Sequence, residues 1–318
     1  MAIEVALAVD IGGTKVDAAL VDGAGGIVPG SRHREATGAG QTSATFSTVL
    51  ASVCGRAADA AAPGSHRIVG VGIGAAGPLL RGGTSISPLN MPGIRDFALA
   101  PAVASAAPGA PVRVALDGTC ITLAEHRFGA LRGVRNGIAM VVSTGIGGGI
   151  VLDGRIVLGN AGNAGHVGQV WVRRPDPADP VRATVEAVAA GPATVRWANE
   201  RGWPGADGRA LAVDYAARHP LAVEAVHRSA SAVGHAIAAY AALLDLEVVA
   251  IGGGFARVAR DYVELVEAAA HELAVLPAAR GIRVVRAALG DDAPLVGAAM
   301  LVLAGVGEPQ PQAPAAGG

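Results

Sequence analysis

Twice along the chain an apolar strand runs into a glycine-rich turn and a second apolar strand leaves it. Val5 to Asp10 and Val16 to Val21 are short runs rich in β-formers, separated by Ile11-Gly12-Gly13-Thr14-Lys15. Ile138 to Val142 and Gly149 to Leu152 flank Ser143-Thr144-Gly145-Ile146-Gly147-Gly148 in the same manner. Two such hairpins in a chain of 318 residues, twice the ~150-residue prior for one domain, predict an internally repeated α/β fold.

Between the hairpins, Phe46 to Ala62 has the alanine-rich composition of a helix, Arg67 to Gly74 returns to strand, and Pro78 to Phe97 is loop-like. Val112 to Leu116 predicts a strand that ends on Asp117, and Ile121, Leu123, Ala124 and Phe128 then follow helical spacing. Asp117 therefore stands at a strand-to-helix junction. Beyond the second hairpin, Arg173 to Pro180 is irregular, and Val185 to Ala190 is a short helix stopped by Gly191-Pro192. Ala222 to Leu244 is a long helix, and Val248 to Ile251 a buried strand after which Gly252-Gly253-Gly254 opens the next helix. Pro294 to Ala304 forms a final helix with its proline in the first turn, and Gly307 to Gly318 reads as a disordered tail.

Composition narrows the partners. With 51% hydrophobic and 16% charged residues the chain is too apolar for disorder, and 25 basic against 26 acidic residues leave a net charge of -1. No bulk field draws it onto nucleic acid or a membrane, so a small molecule is the expected partner. Cys54 and Cys120 form neither a zinc pattern nor a disulfide framework. Residues 1–4 offer no basic region before an apolar stretch, and Gly137 to Leu152 falls short of the ~20 residues a spanning helix needs. A cytoplasmic location is expected.

In Asp10 to Lys15 an acidic residue ends a strand, and glycines let backbone N–H groups approach an anion without a Cβ clash. A phosphate cradle and an ordinary hairpin turn both fit this segment. It is neither a Walker loop nor a GxGxxG fingerprint, since no glycine-lysine-hydroxyl triplet follows and a strand, not a helix, lies behind it. Lys15 is the only lysine in an arginine-biased chain, and a compact ammonium is not interchangeable with a guanidinium. Ser143 to Gly148 could donate further N–H groups, and Gly252 to Gly254 could hold an anion or pack beneath an adenine ring.

The order of these three glycine segments resembles that of the ROK sugar kinases, a branch of the actin-like ATPase superfamily, over about Leu7 to Ala304. Asp10–Lys15 matches the phosphate-1 motif, Ser143–Gly148 phosphate-2, and Ile251–Gly254 the adenosine segment. Val71–Pro78, Asn90–Gly93, Leu289–Ala293 and Gly297–Ala299 also look like family blocks. The resemblance implies a two-lobed actin-like, ribonuclease H-like fold with a central cleft. The smaller lobe is expected from residues 1–116 plus 291–306 and the larger from residues 117–290. It implies ATP with Mg²⁺ against Gly12, Gly13, Thr14, Lys15, Thr144, Gly145, Gly147, Gly148, Gly252, Gly253 and Gly254, with Asp10 near the metal, and it makes a homodimer reasonable.

By the same resemblance Asp117 is the catalytic base, although Leu116 replaces the usual preceding asparagine. A helix N-cap is the plainer role for such a residue. The family's sugar-recognition block Gly-Glu-x-Gly-His reads here Gly165-His166-Val167-Gly168-Gln169, so a glutamate has become His166 and a histidine Gln169. Most members then carry a zinc-binding cysteine cluster before a Leu-Glu pair; this chain has Arg173 to Thr184, then Val185-Glu186, and no zinc is expected. Asn90, His166, Gln169 and Glu186 are the expected acceptor-binding residues beside Asp117. The altered pocket points to an amino sugar such as kanosamine, or a C7-cyclitol, rather than plain glucose. A hexose kinase and a non-catalytic sugar sensor on the same fold are the rival readings.

Overall fold

The first hairpin pairs β1 (Ile3–Ile11) with β2 (Lys15–Asp22), antiparallel, with Asp10 opposite Asp17. In this computed structural model, which describes residues 2–62, 64–80, 84–88 and 91–306, β3 (His33–Ala36) adds to the free edge of β2. Helix α1 (Ser43–Asp59) then crosses to β4 (His66–Ala75), which runs parallel to β1. A two-stranded ribbon of β5 (Ser85–Ile86) and β6 (Phe97–Ala98) falls within the segment read as loop, and helix α2 (Leu99–Val103) leads on to β7 (Val112–Leu116), parallel to β4. The sheet order is β3-β2-β1-β4-β7.

Helix α3 (Asp117–Phe128) follows, and the scheme then repeats. β8 (Gly137–Val142), β9 (Ile146–Leu152) and β10 (Arg155–Val157) form an antiparallel meander. β11 (Val248–Gly252) lies parallel to β8, and β12 (Arg283–Arg286) parallel to β11, giving β10-β9-β8-β11-β12. Both sheets thus share one strand order and one set of strand senses, the internal repeat expected from the two hairpins. Helices α4 (Val185–Ala189), α5 (Gly191–Asn199), α6 (Gly208–Ala216) and α7 (Pro220–Leu244) separate β10 from β11. Helix α8 (Tyr262–Leu273) precedes β12, and α9 (Ala293–Leu303) comes last. Among the described residues no helix is long and apolar enough to cross a membrane. Gly307–Gly318, read as a disordered tail, lie outside the described residues.

The short helix stops before Gly191-Pro192 as expected, and the same pair also starts α5, where a proline in the first turn gives up a donor that has no intrahelical partner anyway. Two local expectations are corrected. The second glycine turn is shorter than expected, with Gly147 and Gly148 inside β9. Gly252–Gly254 leads into a single 3-10 turn, Phe255–Arg257, and α8 begins only at Tyr262, because Gly253 takes a left-handed φ of 99° that turns the chain aside.

Helices α3 and α9 pack together against the first sheet. Ala6, Ala8 and Ala19 share a buried cluster with Cys120 and Leu123 of α3 and with Leu295, Ala298 and Ala299 of α9. Small residues there allow backbone to touch backbone. A Cβ at Gly72 of β4 would lie 1.8 Å from the Ala298 carbonyl oxygen, and one at Gly297 would lie 1.7 Å from that of Cys120. On its other side α3 meets β9, where a Cβ at Gly118 would lie 2.3 Å from the Gly148 carbonyl oxygen. Fully buried Glu125 accepts N–H bonds from Ala130 (2.8 Å), Ala288 (3.1 Å) and Leu289 (2.9 Å), tying α3 to the segment before α9. Burial would raise the Asp17 carboxyl, but hydrogen bonds from Arg32 and Arg34 outweigh it and hold the group below its usual range. Arg32 also reaches Asp292 at 2.6 Å, so β2 is tethered to the start of α9.

Candidate active site

Asp10 is the penultimate residue of β1 and only 9% exposed. Among the described residues nothing donates a hydrogen bond to its carboxylate. Burial first, and then the charge of Asp117, push its pKa up to about 7 against the opposing charge of Lys15. Asp117 opens α3, and its Oδ1 accepts the Gly118 N–H at 2.7 Å. Burial raises this carboxyl too, with the Gly118 hydrogen bond and the His166 charge working the other way. The two acids share one low-dielectric corner, where a buried carboxylate such as Asp10, with no hydrogen-bond donor among the described residues, points to a role outside stability. Burial, Asp10 and Asp117 together raise the Cys120 thiol as well, which leaves it an unreactive core group.

That corner carries an energetic signature. The folded pKa of about 7 lies above the ordinary 3.8, so folded protein holds the Asp10 proton more tightly than unfolded chain. Ionisation therefore removes stability as pH climbs from about 4 to 7, and takes nothing below the unfolded value. Asp10→Asn is expected to raise the unfolding free energy of ligand-free protein by roughly 2–4 kcal/mol at pH 8, and by nothing measurable at pH 4. Urea melts at the two pH values check this, and equal stabilities at pH 8 would refute it.

The first turn is held by the Gly12 N–H bonding to the Lys15 carbonyl at 2.9 Å, and by Thr37, whose N–H bonds to the Thr14 carbonyl and whose hydroxyl bonds to that of Gly12. Gly13 and Thr14 complete it, and Lys15 begins β2. At the second turn the Ser143 N–H bonds to the Gly145 carbonyl, with Thr144 exposed between them. Gly253 lies against the end of β8, where a Cβ would be 2.4 Å from the Val142 carbonyl oxygen, and a Cβ on Gly254 would be 3.5 Å from Ser143 Oγ. The second turn and the Gly252–Gly254 segment are therefore neighbours. Together they open onto a pocket of about 830 Å³ lined by Ser143, Thr144, Gly191, Pro192, Gly254 and Phe255 among others. Such a volume suits a nucleoside.

The residues expected to hold an acceptor fall into two pairs. His166 lies beside Gly77, where an added Cβ would be 3.0 Å from the imidazole, and it faces Asp117 electrostatically. Gln169 donates from Nε2 to Glu186 Oε1 at 3.1 Å, and Glu186 Oε2 accepts the Ile146 N–H at 2.8 Å. Glu186 in the first turn of α4 thereby fixes the entry to β9. Asn90 lies outside the described residues. Sequence reasoning missed the contribution of α5 to the large pocket; the signal available was Gly191-Pro192 as a helix start.

A profile described as the ROK family matches residues 6–304. The chain belongs to the ROK family. N-acetylmannosamine kinase from Yersinia pseudotuberculosis serotype O:1b is 33% identical over 306 residues, spanning 92% of this chain and 97% of the relative. The crystal structure of ROK hexokinase from Thermus thermophilus has a TM-score of 0.80 at 31% identity, covering 95% of this chain and 98% of its own. A ROK family glucokinase from Streptomyces griseus, in complex with glucose and AMPPNP, has a TM-score of 0.78 at 28% identity, with 94% and 99% covered. The resemblance to ROK sugar kinases and the actin-like α/β fold are both borne out. Among the described residues no group of three or more His, Cys, Asp and Glu side chains could hold a metal ion. Asp10, a buried hard oxygen donor to which nothing described donates a hydrogen bond, fits the kind of single carboxylate that suits Mg²⁺ held largely by water and phosphates.

Proposed function

We propose that the protein is an ATP-dependent kinase that transfers the γ-phosphoryl group to a hydroxyl of a sugar, with Asp117 as general base. The observation that supports this most is the convergence at one corner of Asp117, unpartnered Asp10 and His166, beside a strand hairpin whose glycine turn opens onto a nucleoside-sized pocket. In this reading Gly13, Thr14 and the Thr144–Gly145 turn hold the polyphosphate through backbone N–H groups, Lys15 adds its ammonium, and Gly252–Gly254 packs beneath the base. Asp117 orients the acceptor hydroxyl and takes its proton, the N-terminal end of α3 favouring the ionised form. Asp10 holds Mg²⁺ through water; when bound, the cation neutralises charge on the phosphates. Closure of lobes 1–116 plus 291–306 and 117–290 excludes competing water. A homodimer belongs to the same reading and rests on the resemblance alone, and a cytoplasmic location rests on the cysteine pattern and the segment composition of the sequence.

For the acceptor we infer an amino sugar, kanosamine or a relative, or a C7-cyclitol, ahead of glucose. His166 and Gln169 replace the carboxylate and imidazole of the common family block, and Gln169 already occupies one oxygen of Glu186. The N-acetylmannosamine kinase relatives support the amino-sugar branch, while the glucokinase likeness favours a hexose kinase as second reading. A panel of glucose, N-acetylmannosamine, kanosamine and a valiolone-type cyclitol, assayed for ATP-dependent phosphorylation, separates them. An amino sugar or cyclitol is expected to exceed glucose at least tenfold in kcat/KM, about 1.4 kcal/mol of discrimination. Glucose turning over best overturns the acceptor preference, and no turnover of any acceptor overturns the kinase.

A further inference from the structure

A second cavity, of about 500 Å³, lies on the other side of α5 from the large pocket and is walled by Arg173, Arg182, Arg196, Arg201 and Arg228 together with Trp197 and Glu200. Five guanidinium groups against one carboxylate is a concentrated positive site in a chain of net charge -1. Among the described residues, the only ion pair that any of the five makes is Arg182 with Asp179, at 2.7 Å. Arg201 and Arg228 both lie over the Trp197 ring, at 4.0 and 5.1 Å from its centroid, which holds two cations against one aromatic body. Arg228 is further fixed by a 2.7 Å hydrogen bond to the Val188 carbonyl of α4, and Arg173 by bonds to the Arg182 carbonyl. Burial and then the charges of Arg173 and Arg201 lower the Arg228 pKa, with the single carboxylate of Glu200 opposing them.

We propose that this cavity binds a phosphate-bearing small molecule, either a phosphomonoester or inorganic phosphate, and that its occupancy tunes nucleotide affinity through α5. Planar guanidinium forks match phosphate oxygens two at a time, and the volume holds a phosphate with or without a monosaccharide attached. Arg173 and Arg182 come from the segment that stands where most family members carry zinc-binding cysteines, so the residues that close this side of the structure here are cationic. Arg196 and Glu200 line both cavities. An anion that draws Arg196 to one side withdraws it from the other, which couples the two sites. This coupling rests on the proposed nucleotide pocket; the anion site itself does not.

Calorimetric titration of the full chain with inorganic phosphate, and separately with glucose 6-phosphate, tests binding with the glycine turns first saturated by AMPPNP and Mg²⁺. One site per chain is expected, weakened at least tenfold in the Arg173→Gln/Arg201→Gln variant, whose two side chains are exposed. Glucose 6-phosphate binding at least tenfold tighter assigns the monoester, and equal affinities assign phosphate itself. Phosphate should raise the Tm of the parent protein and leave that of the variant unmoved, whereas the ligand-free variant should melt no lower than the parent. Absence of binding, or binding unchanged by the two substitutions, overturns the site. Titrations without AMPPNP compare parent and variant in the same way, so a failure of AMPPNP to bind overturns the kinase reading and leaves the arginine site decided on its own. An apparent KM for ATP that phosphate shifts at least twofold in the parent but not in the variant supports the coupling, and an unshifted KM overturns it.

Discussion

Asp117→Asn is expected to lower kcat for sugar phosphorylation by about 10³-fold while changing the KM for ATP and for the acceptor less than threefold. Asparagine keeps the volume and an oxygen able to accept the Gly118 N–H, so the start of α3 is retained. What it loses is the only function that needs a negative oxygen, removal of the hydroxyl proton. The pH dependence supplies a second reading of the same chemistry. Both carboxyls titrate above the ordinary carboxylate range, Asp10 at about 7, and in the proposed mechanism both act ionised. Activity in the parent protein should therefore rise as pH increases through that region, instead of being already complete at pH 5. Steady-state kinetics between pH 5 and 9 measure both effects; a variant retaining a tenth of the parent kcat would dismiss Asp117 as the base.

A single methyl group should do comparable damage to the fold. Gly72→Ala would set its Cβ 1.8 Å from the Ala298 carbonyl oxygen and 2.6 Å from the carbon, both backbone atoms of α9. Neither can yield without lifting the helix from the sheet, so the expected loss is on the order of 3 kcal/mol or more. Gly55→Ala is the internal control. It lies within α1 with nothing inside 4 Å of its added Cβ, and the gain in helix propensity should stabilise by about 0.5–1 kcal/mol. Chemical denaturation should show the two substitutions moving the midpoint in opposite directions. A neutral Gly72→Ala would mean that α9 does not rest on β4 as described.

What the sequence made legible was local. The hairpins, the Asp117 junction and the long helix each announce themselves within a dozen residues, through β-branched runs, glycine turns and a 3.6-residue period. Gly147 and Gly148 were misplaced because a glycine inside a strand looks like a turn until its neighbour is known. The neighbour is α3, and Gly148 and Gly149 are small because Ala139, Thr122 and Gly118 press on them. Gly191-Pro192 carries two meanings, a stop and a first turn; both hold here, and the second is visible only once α5 is seen to begin at the glycine. The arginine cavity draws on three separate stretches of chain, 173–182, 196–201 and 228, none of which is distinctive alone. Likewise, the raised carboxyls of Asp10 and Asp117 arise from burial side by side, although more than a hundred residues separate them.

The placement of α9 has a bearing on how the protein is made. The alanine and glycine face of the first sheet is complete once β7 has been synthesised, and α3 can cover part of it at once, yet the rest of the cover comes from residues 293–303. Until those residues leave the ribosome, a nascent chain holds part of that face open, and the Glu125 carboxylate has the Ala130 amide but lacks those of Ala288 and Leu289. The N-terminal sheet must therefore wait for nearly the whole polypeptide before it can lock, and ribosome-bound intermediates stalled short of α9 should be the form most in need of a chaperone.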